Sequence, residues 1–250
     1  MTRIAIFDSG FGSLSIIKSI QKFTKSEIIY FADQKNYPYG KKSKTHLRTI
    51  INQTIEKLEE NFSPSLIVMA SNTPSILFQN YLDSKVIGVL PPLTEASKIT
   101  KSFRIGILGT QAAIKSNSLS RYIKKTIPKH IRVKKIDATE LVDLVESGKF
   151  ITDKKLCKKR IQKTLGKVLN NKIDVVTLSS THLPLLLPML EKEFPHVTFL
   201  DPADRIGKEI SKRISKLKHN KLRIYTSKDP KLFQEYLRMI GIRNKINFLP

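Results

Sequence analysis

The sequence predicts an α/β protein of two pseudo-symmetric lobes, each a mostly parallel sheet flanked by helices, with the active-site cleft between them. Three observations carry this expectation. Segments that read as strand and helix alternate along the whole chain, which is the pattern of parallel sheets covered on both faces. Two stretches about 110 residues apart share one design, Leu66-Ile67-Val68-Met69-Ala70-Ser71-Asn72-Thr73-Pro74-Ser75 and Val175-Val176-Thr177-Leu178-Ser179-Ser180-Thr181-His182-Leu183-Pro184. Each is an apolar run of the kind that forms a buried parallel strand, closed by small polar residues and then a helical segment. Finally, residues 4–14 match residues 105–115 in type, so the second half restarts the pattern of the first. The first lobe is expected over 1–93 plus 205–250 and the second over 94–204.

The elements follow in order. Ile4-Ala5-Ile6-Phe7 is a strand, Asp8-Ser9-Gly10-Phe11-Gly12-Ser13-Leu14 a turn, and 15–23 a helix. The glycines let backbone approach a ligand closely, and the N–H groups at the helix start suit a carboxylate. Asp8 at the strand tip suits an ammonium group instead. Gly10-Phe11-Gly12 lacks the third glycine of a dinucleotide fingerprint, and no ribose-binding acid follows the next strand, which argues against a nucleotide. Ile28 to Ala32 is the second strand. The loop from Asp33 closes on Tyr37-Pro38-Tyr39-Gly40, where proline and glycine are turn chemistry. A helix over 43–61 carries Leu47, Ile50, Ile51, Ile55 and Leu58 at helical spacing. After the first polar tip, Val86 to Leu90 is a strand ended by Pro91-Pro92, a pair that suits a hinge.

The second set begins with the strand and turn from Arg104 to Thr110. A helix over 116–126, a strand over 131–136, a short helix over 139–147 stopped by Gly148 and an amphipathic helix over 154–170 follow. The second tip leads into a helix ending near Phe194, then a strand over 197–200. A helix opens after Asp201-Pro202-Ala203 and runs to about Leu217; 222–226 is a final strand, and Pro230 opens a final helix.

Composition excludes several classes. Forty per cent hydrophobic residues is ordinary for a globular protein, and no apolar run of about 18 residues is present, so no membrane span is expected. The start, Met1-Thr2-Arg3-Ile4-Ala5-Ile6-Phe7-Asp8, has no long apolar region, so it reads as a strand and not as a signal peptide; a cytoplasmic protein is expected. The single cysteine, Cys157, sits among lysines with no metal-ligand spacing around it, and no metal is expected. The formal net charge of +24 would attract nucleic acid or an acidic surface. Yet the basic residues are scattered along helices with no aromatic-interleaved motif. A lysine-rich solvated surface accounts for them, and nucleic acid has no support beyond net charge.

Taken together, Phe7-Asp8-Ser9-Gly10-Phe11-Gly12, Tyr30-Phe31-Ala32-Asp33 with Pro38-Tyr39-Gly40, Asn72-Thr73, Gly88-Val89, Leu144-Val145-Glu146-Ser147-Gly148, Thr181-His182-Leu183-Pro184-Leu185-Leu186 and Tyr225-Thr226 with Asp229-Pro230 resemble the cofactor-independent glutamate racemases of the aspartate/glutamate racemase superfamily. The resemblance spans nearly the whole chain in the right order. It implies two lobes, no cofactor, a small acidic amino acid or dicarboxylate as partner, and removal of the α-proton on one face with its return on the other. In the family two cysteines do this, one from each lobe. The resemblance makes Asp8 and His182 acid/base helpers beside them, and gives Ser9, Pro38, Tyr39, Gly40, Asn72, Thr73 and Thr181 to the substrate's polar groups. Glu146 is a further candidate, or else a solvated helix residue. A homodimer is compatible with the family.

Both family cysteines are absent: Ser71 stands where the first belongs and Ser180 where the second belongs. A thiol near its ordinary pKa of about 8.5 is readily tuned into a thiolate base, whereas a serine hydroxyl needs an adjacent base to be useful. Ala113 and Ser179 also depart from the family's usual threonine and glycine. Off-pattern Pro74, Ser179 and Leu183 point to natural divergence rather than deliberate removal of two thiols. The expectation is thus a racemase of low or altered activity acting on glutamate or aspartate, with Ser71 and Ser180 at the proton-transfer positions. Its alternative is a non-catalytic homologue that binds an amino acid or dicarboxylate, with polyanion binding on its basic exterior. The bland readings stay beside these: His182 also suits a core or helix-start histidine, and Asp8, Ser9, Asn72 and Thr73 also suit helix capping.

Overall fold

The computed structural model describes residues 3–169 and 172–250. Its chain divides into two compact units, residues 3–89 with Ala203–Pro250, and Leu90–Pro202. Among the described residues the strand pairs are all parallel.

The first unit is built on a six-stranded sheet in the order β10-β9-β2-β1-β3-β4. Its strands are β1 Arg3–Asp8, β2 Glu27–Ala32, β3 Leu66–Met69, β4 Val86–Gly88, β9 Lys221–Thr226 and β10 Ile246–Phe248. The second unit has a four-stranded sheet in the order β6-β5-β7-β8, with β5 Arg104–Gly109, β6 Arg132–Asp137, β7 Val175–Ser179 and β8 Thr198–Leu200. Strands β2-β1-β3-β4 and β6-β5-β7-β8 repeat one connectivity, which is the internal repeat seen in the sequence. The reason lies in the residues: β1, β2, β3 and β7 are buried on both faces, so their sequences are continuous apolar runs rather than alternations. Strand β6 lies at a sheet edge, and Arg132-Val133-Lys134-Lys135 there alternates exposed and half-buried positions.

Helices lie where periodicity puts them, at Leu14–Phe23, Lys44–Phe62, Asn117–Thr126, Thr139–Glu146, Ala203–Ser211 and Pro230–Met239, the fifth ending at Ser211 rather than at about Leu217. Ser43 caps the second of these by accepting the His46 N–H, and Ser116 caps the third by accepting the Leu119 N–H. The amphipathic helix expected over 154–170 is Lys154–Leu165; its expected last residue, Asn170, lies outside the described residues, as do Met1 and Thr2 of the expected first strand. The segment after the second tip is a tight turn, Leu183–Leu186, before the helix Leu187–Glu193, because Pro184 and Pro188 withhold N–H donors. Strand β10 has no counterpart in the sequence reading: three residues are too few for a periodic signal. The helix Leu93–Ile99 was likewise illegible behind Pro91-Pro92.

Two contacts tie the carboxyl-terminal segment into the first unit. Glu27 on β2 is buried and accepts from Arg3 on β1 (3.0 Å) and Arg223 on β9 (2.5 Å), pinning three strands in register. Burial alone would raise its carboxyl, but the hydrogen bonds and charges of Arg3 and Arg223 outweigh it and hold the group below its usual value. The helix Ala203–Ser211 packs on Leu14–Phe23 through Gly207, where an added Cβ would lie 2.5 Å from Ser19 Oγ and 2.8 Å from the Ser19 carbonyl oxygen. Backbone cannot swing away as a side-chain tip can. We expect Gly207→Ala to lower stability by about 1–2 kcal/mol in urea unfolding, overpacking outweighing the gain of about 1 kcal/mol in helix propensity.

Candidate active site

In the first unit the expected residues gather at the carboxyl ends of β1, β2 and β3, where open α/β sheets take ligands. Asp8 ends β1 fully buried, and the Ser9 N–H donates to its Oδ1 at 2.6 Å. The loop after it is held from below: the buried Tyr30 hydroxyl donates to the Gly10 carbonyl. Ser71 follows β3 in extended backbone and is buried, as are Asn72 and Thr73 at the start of the short helix Asn72–Leu77. The Asn72 amide nitrogen donates to the Val89 carbonyl at 2.7 Å. Its Oδ1, also buried, has no hydrogen-bond partner among the described residues. A buried acceptor without a partner is rare in a native fold and calls for an explanation. Pro38, joined to Tyr37 by a cis peptide bond, precedes the tight turn Tyr39–Lys41 that contains Gly40.

That turn rests on a residue to which the sequence assigned no role. Asp33, immediately after β2, is buried and accepts from Tyr39 Oη (2.9 Å), Asn36 Nδ2 (2.9 and 3.0 Å) and Ser227 Oγ (3.2 Å). Its backbone N–H donates to the Asp8 carbonyl at 2.7 Å. Burial raises the Asp33 carboxyl above its usual value despite these donors. Burial, then the charge of Asp33, pushes the Tyr39 hydroxyl well above a phenol's ordinary range, so it is a proton holder throughout neutral pH. The sequence signals were the place of Asp33 at a strand tip before a Pro/Gly turn and in the family-resembling stretch Tyr30-Phe31-Ala32-Asp33.

A pH effect with a definite sign follows. The native state holds the Asp33 proton more tightly than the unfolded chain does. Stability from this group therefore falls as pH rises from the unfolded aspartate value, about 3.9, through the raised folded value. Tyr39→Phe removes a donor that opposes the rise. We expect it to lower stability by about 1.5–3 kcal/mol near pH 7, with a smaller loss near pH 4, measured by urea unfolding at the two pH values.

In the second unit Ser180, Thr181 and His182 follow β7 and are all buried. Ser180 and His182 are fixed by their backbones, their carbonyls accepting the Leu183 N–H (3.0 Å) and the Leu185 N–H (3.1 Å). Behind them Thr177 Oγ1 and Ser179 Oγ share a hydrogen bond of 2.9 Å. The structure then brings together two residues 36 positions apart: His182 Nε2 lies 2.9 Å from Glu146 Oε2, with side chains 6% and 12% exposed. Glu146, the last residue of the helix Thr139–Glu146, is largely withdrawn from solvent and so is not a solvated helix residue. With the Glu146 carboxylate as acceptor, Nε2–H is the donor of this pair. The imidazole of His182, two residues along the chain from Ser180, is thereby braced by a carboxylate.

Among the described residues no group of three or more His, Cys, Asp or Glu is gathered as a metal ion would need, and no helix is long and apolar enough to cross a membrane. Two parallel-sheet units with polar residues at their strand ends, one with a buried Asp and the other with a His–Glu pair, define an α/β protein with its candidate chemistry at the carboxyl ends of strands. Residues 10–206 match the Asp/Glu/Hydantoin racemase family, and the chain belongs to that family. It is 34% identical to a glutamate racemase of Sulfurihydrogenibium sp. over 239 residues, covering 92% of this chain and 87% of that protein. It is 35% identical to the glutamate racemase of Chlorobaculum parvum over 221 residues, 85% of this chain and 80% of that one. Among solved structures, a glutamate racemase isoform from Bacillus anthracis superposes with a TM-score of 0.89 at 25% identity, covering 100% of this chain and 97% of that one. The Escherichia coli glutamate racemase, solved with L-glutamate and an activator, shares the fold at a TM-score of 0.84 and 21% identity, covering 99% and 98%.

Proposed function

We propose that this protein is a cofactor-independent amino-acid racemase of the glutamate racemase type, moving the α-proton of glutamate or aspartate. Two groups move the proton. Asp8 is the first and the His182–Glu146 pair the second, with Ser71 and Ser180 at the positions that thiols occupy in the family. Asn72, Thr73, Ser9, Thr181 and the Pro38-Tyr39-Gly40 turn hold the substrate's polar groups, and the open Asn72 Oδ1 suits its ammonium. The single observation that carries this reading is the 2.9 Å His182–Glu146 contact in a buried setting. Chemistry without thiols needs another group that takes and gives a proton near neutral pH, and a braced imidazole is such a group. Hydrogen-bond donors around the substrate carboxylate would favour the charge that develops as the proton leaves. The absent thiols set the expected rate well below that of two-cysteine enzymes.

The absence of both thiols also favours a second reading, a homologue that binds the amino acid without turning it over. Incubation with L-glutamate or L-aspartate in D2O separates the two. The racemase loses the α-proton NMR signal of its substrate over hours to days. A protein that binds the ligand, by calorimetry, yet leaves that signal intact is the binding homologue.

A further inference from the structure

The fold assembles a basic furrow that the sequence leaves scattered. It lies in the second unit at the amino-terminal ends of β5 and β6, the opposite end of that sheet from Ser180 and His182. Its volume is about 320 Å3, and its charged lining residues are Arg104, Arg132, Lys134, Lys167 and Lys172, with no acidic residue. These five come from three separated stretches of chain. All are exposed, and none is in an ion pair among the described residues. The next furrow along β6, about 410 Å3, differs in kind: it contains Asp137 and Glu140, and Glu140 already holds Lys163 and Arg160. Of these two furrows, only the first is without an acidic residue. A cation after the helix Lys154–Leu165 complements the helix dipole, which accounts for Lys167 but not for two arginines at strand starts.

A second, independent feature stands at the same end. Phe103, the residue before Arg104, is 52% exposed and has φ of 56°, a backbone conformation that a bulky side chain rarely adopts. Its carbonyl accepts the Arg132 N–H at 2.8 Å, and its ring meets the exposed His130 ring edge-on, with centroids 5.4 Å apart. An aromatic pair is thus held in water next to five unpaired cations. Charge alone would suit any polyanion. Exposed rings beside unpaired cations suit a polyanion that carries bases, because bases stack on aromatic faces while cations track phosphates.

We propose that this face binds single-stranded nucleic acid, with Arg104, Arg132, Lys134, Lys167 and Lys172 on phosphates and Phe103 with His130 as the stacking platform. The net charge of +24 adds long-range attraction to it. The proposal is independent of the amino-acid chemistry, which uses the other end of the sheet.

The test is fluorescence anisotropy of the full chain with a fluorescein-labelled oligothymidylate of about twelve nucleotides. The expected affinity is micromolar near 0.1 M salt, with a log–log salt slope on the order of −3 from about five neutralised phosphates. Arg104→Glu with Arg132→Glu should weaken binding at least tenfold. The control pair Lys18→Glu with Lys231→Glu, exposed positions of the first unit, changes net charge equally and should weaken it less than threefold. Phe103→Ala should weaken binding at least fivefold while leaving the salt slope unchanged, and its thermal midpoint confirms that it is folded. If the double reversal fails to fold, Arg104→Gln with Arg132→Gln reads the same contrast. Equal losses from the two charge pairs would show diffuse attraction and overturn the proposal. So would an unchanged affinity in Phe103→Ala, equal competition by base-free polyphosphate per phosphate, or displacement by micromolar thymidine monophosphate, which would reassign the furrow to a mononucleotide.

Discussion

Restoring cysteine at both positions, Ser71→Cys with Ser180→Cys, is expected to raise the rate of α-proton exchange from glutamate by a factor of about 100 to 10,000. The size follows from what a positioned acid/base group contributes to a proton transfer. Both positions are nearly closed to solvent, at 8% and 5% exposure, and each follows the carboxyl end of a fully buried strand. A thiol there replaces one oxygen by one sulfur without a change of branching, so the backbone that positions it need not move. The thiolate accepts a proton near neutral pH, which the hydroxyl does not. Ser71 is the N-terminal flank of the helix Asn72–Leu77, but its side chain makes no capping hydrogen bond that the exchange would lose. Each single replacement should give a smaller gain than the pair, because inversion needs a competent group on both faces of the carbon. Exchange rates by NMR in D2O for the parent, both singles and the double variant check this.

The second large effect concerns His182 and Glu146. His182→Asn and Glu146→Gln are each expected to lower exchange by about 100-fold in the parent chain, and the double variant to be little worse than His182→Asn alone. The 2.9 Å contact makes the two act as one unit: Glu146 works only by fixing the ring that His182 supplies. Neither substitution should unfold the protein, since the helix Thr139–Glu146 is anchored independently by the buried Leu141, Val142, Leu144 and Val145. Fully additive losses in the cycle would mean that the two residues act separately. Undiminished exchange in His182→Asn would remove the imidazole from the chemistry.

The sequence made some of this legible and concealed the rest for physical reasons. Buried parallel strands announce themselves, because Ile4-Ala5-Ile6-Phe7, Leu66-Ile67-Val68-Met69 and Val175-Val176-Thr177-Leu178 have no water-facing side and so no polar residue until the sheet ends. The polar tips were legible for the same reason: Asp8, Ser71 and Ser180 stand where the apolar runs stop. What depends on long-range contact was not. Nothing local links Glu146 to His182, and only packing of the helix Thr139–Glu146 against the Leu183–Leu186 turn joins them. Asp33 looked like a turn residue, and its burial under Tyr39 and Ser227 became visible only once β9 was paired with β2. The basic furrow was hidden by the uniform spread of lysine along the chain, since no segment of it contains more than two of the five cations.

The claim underneath the proposed chemistry is that the α-proton is removed by one group and returned by another, neither of them a sulfur. The most direct measurement is the position of deuterium early in the reaction of L-glutamate in D2O, with the enantiomers separated before mass analysis. Two groups predict that the D-isomer carries deuterium at the α-carbon from the first turnovers while the remaining L-isomer is still protonated. Deuterium accumulating in recovered L-glutamate with no D-isomer formed would show a single group that removes and returns the proton on one face, and would contradict the account.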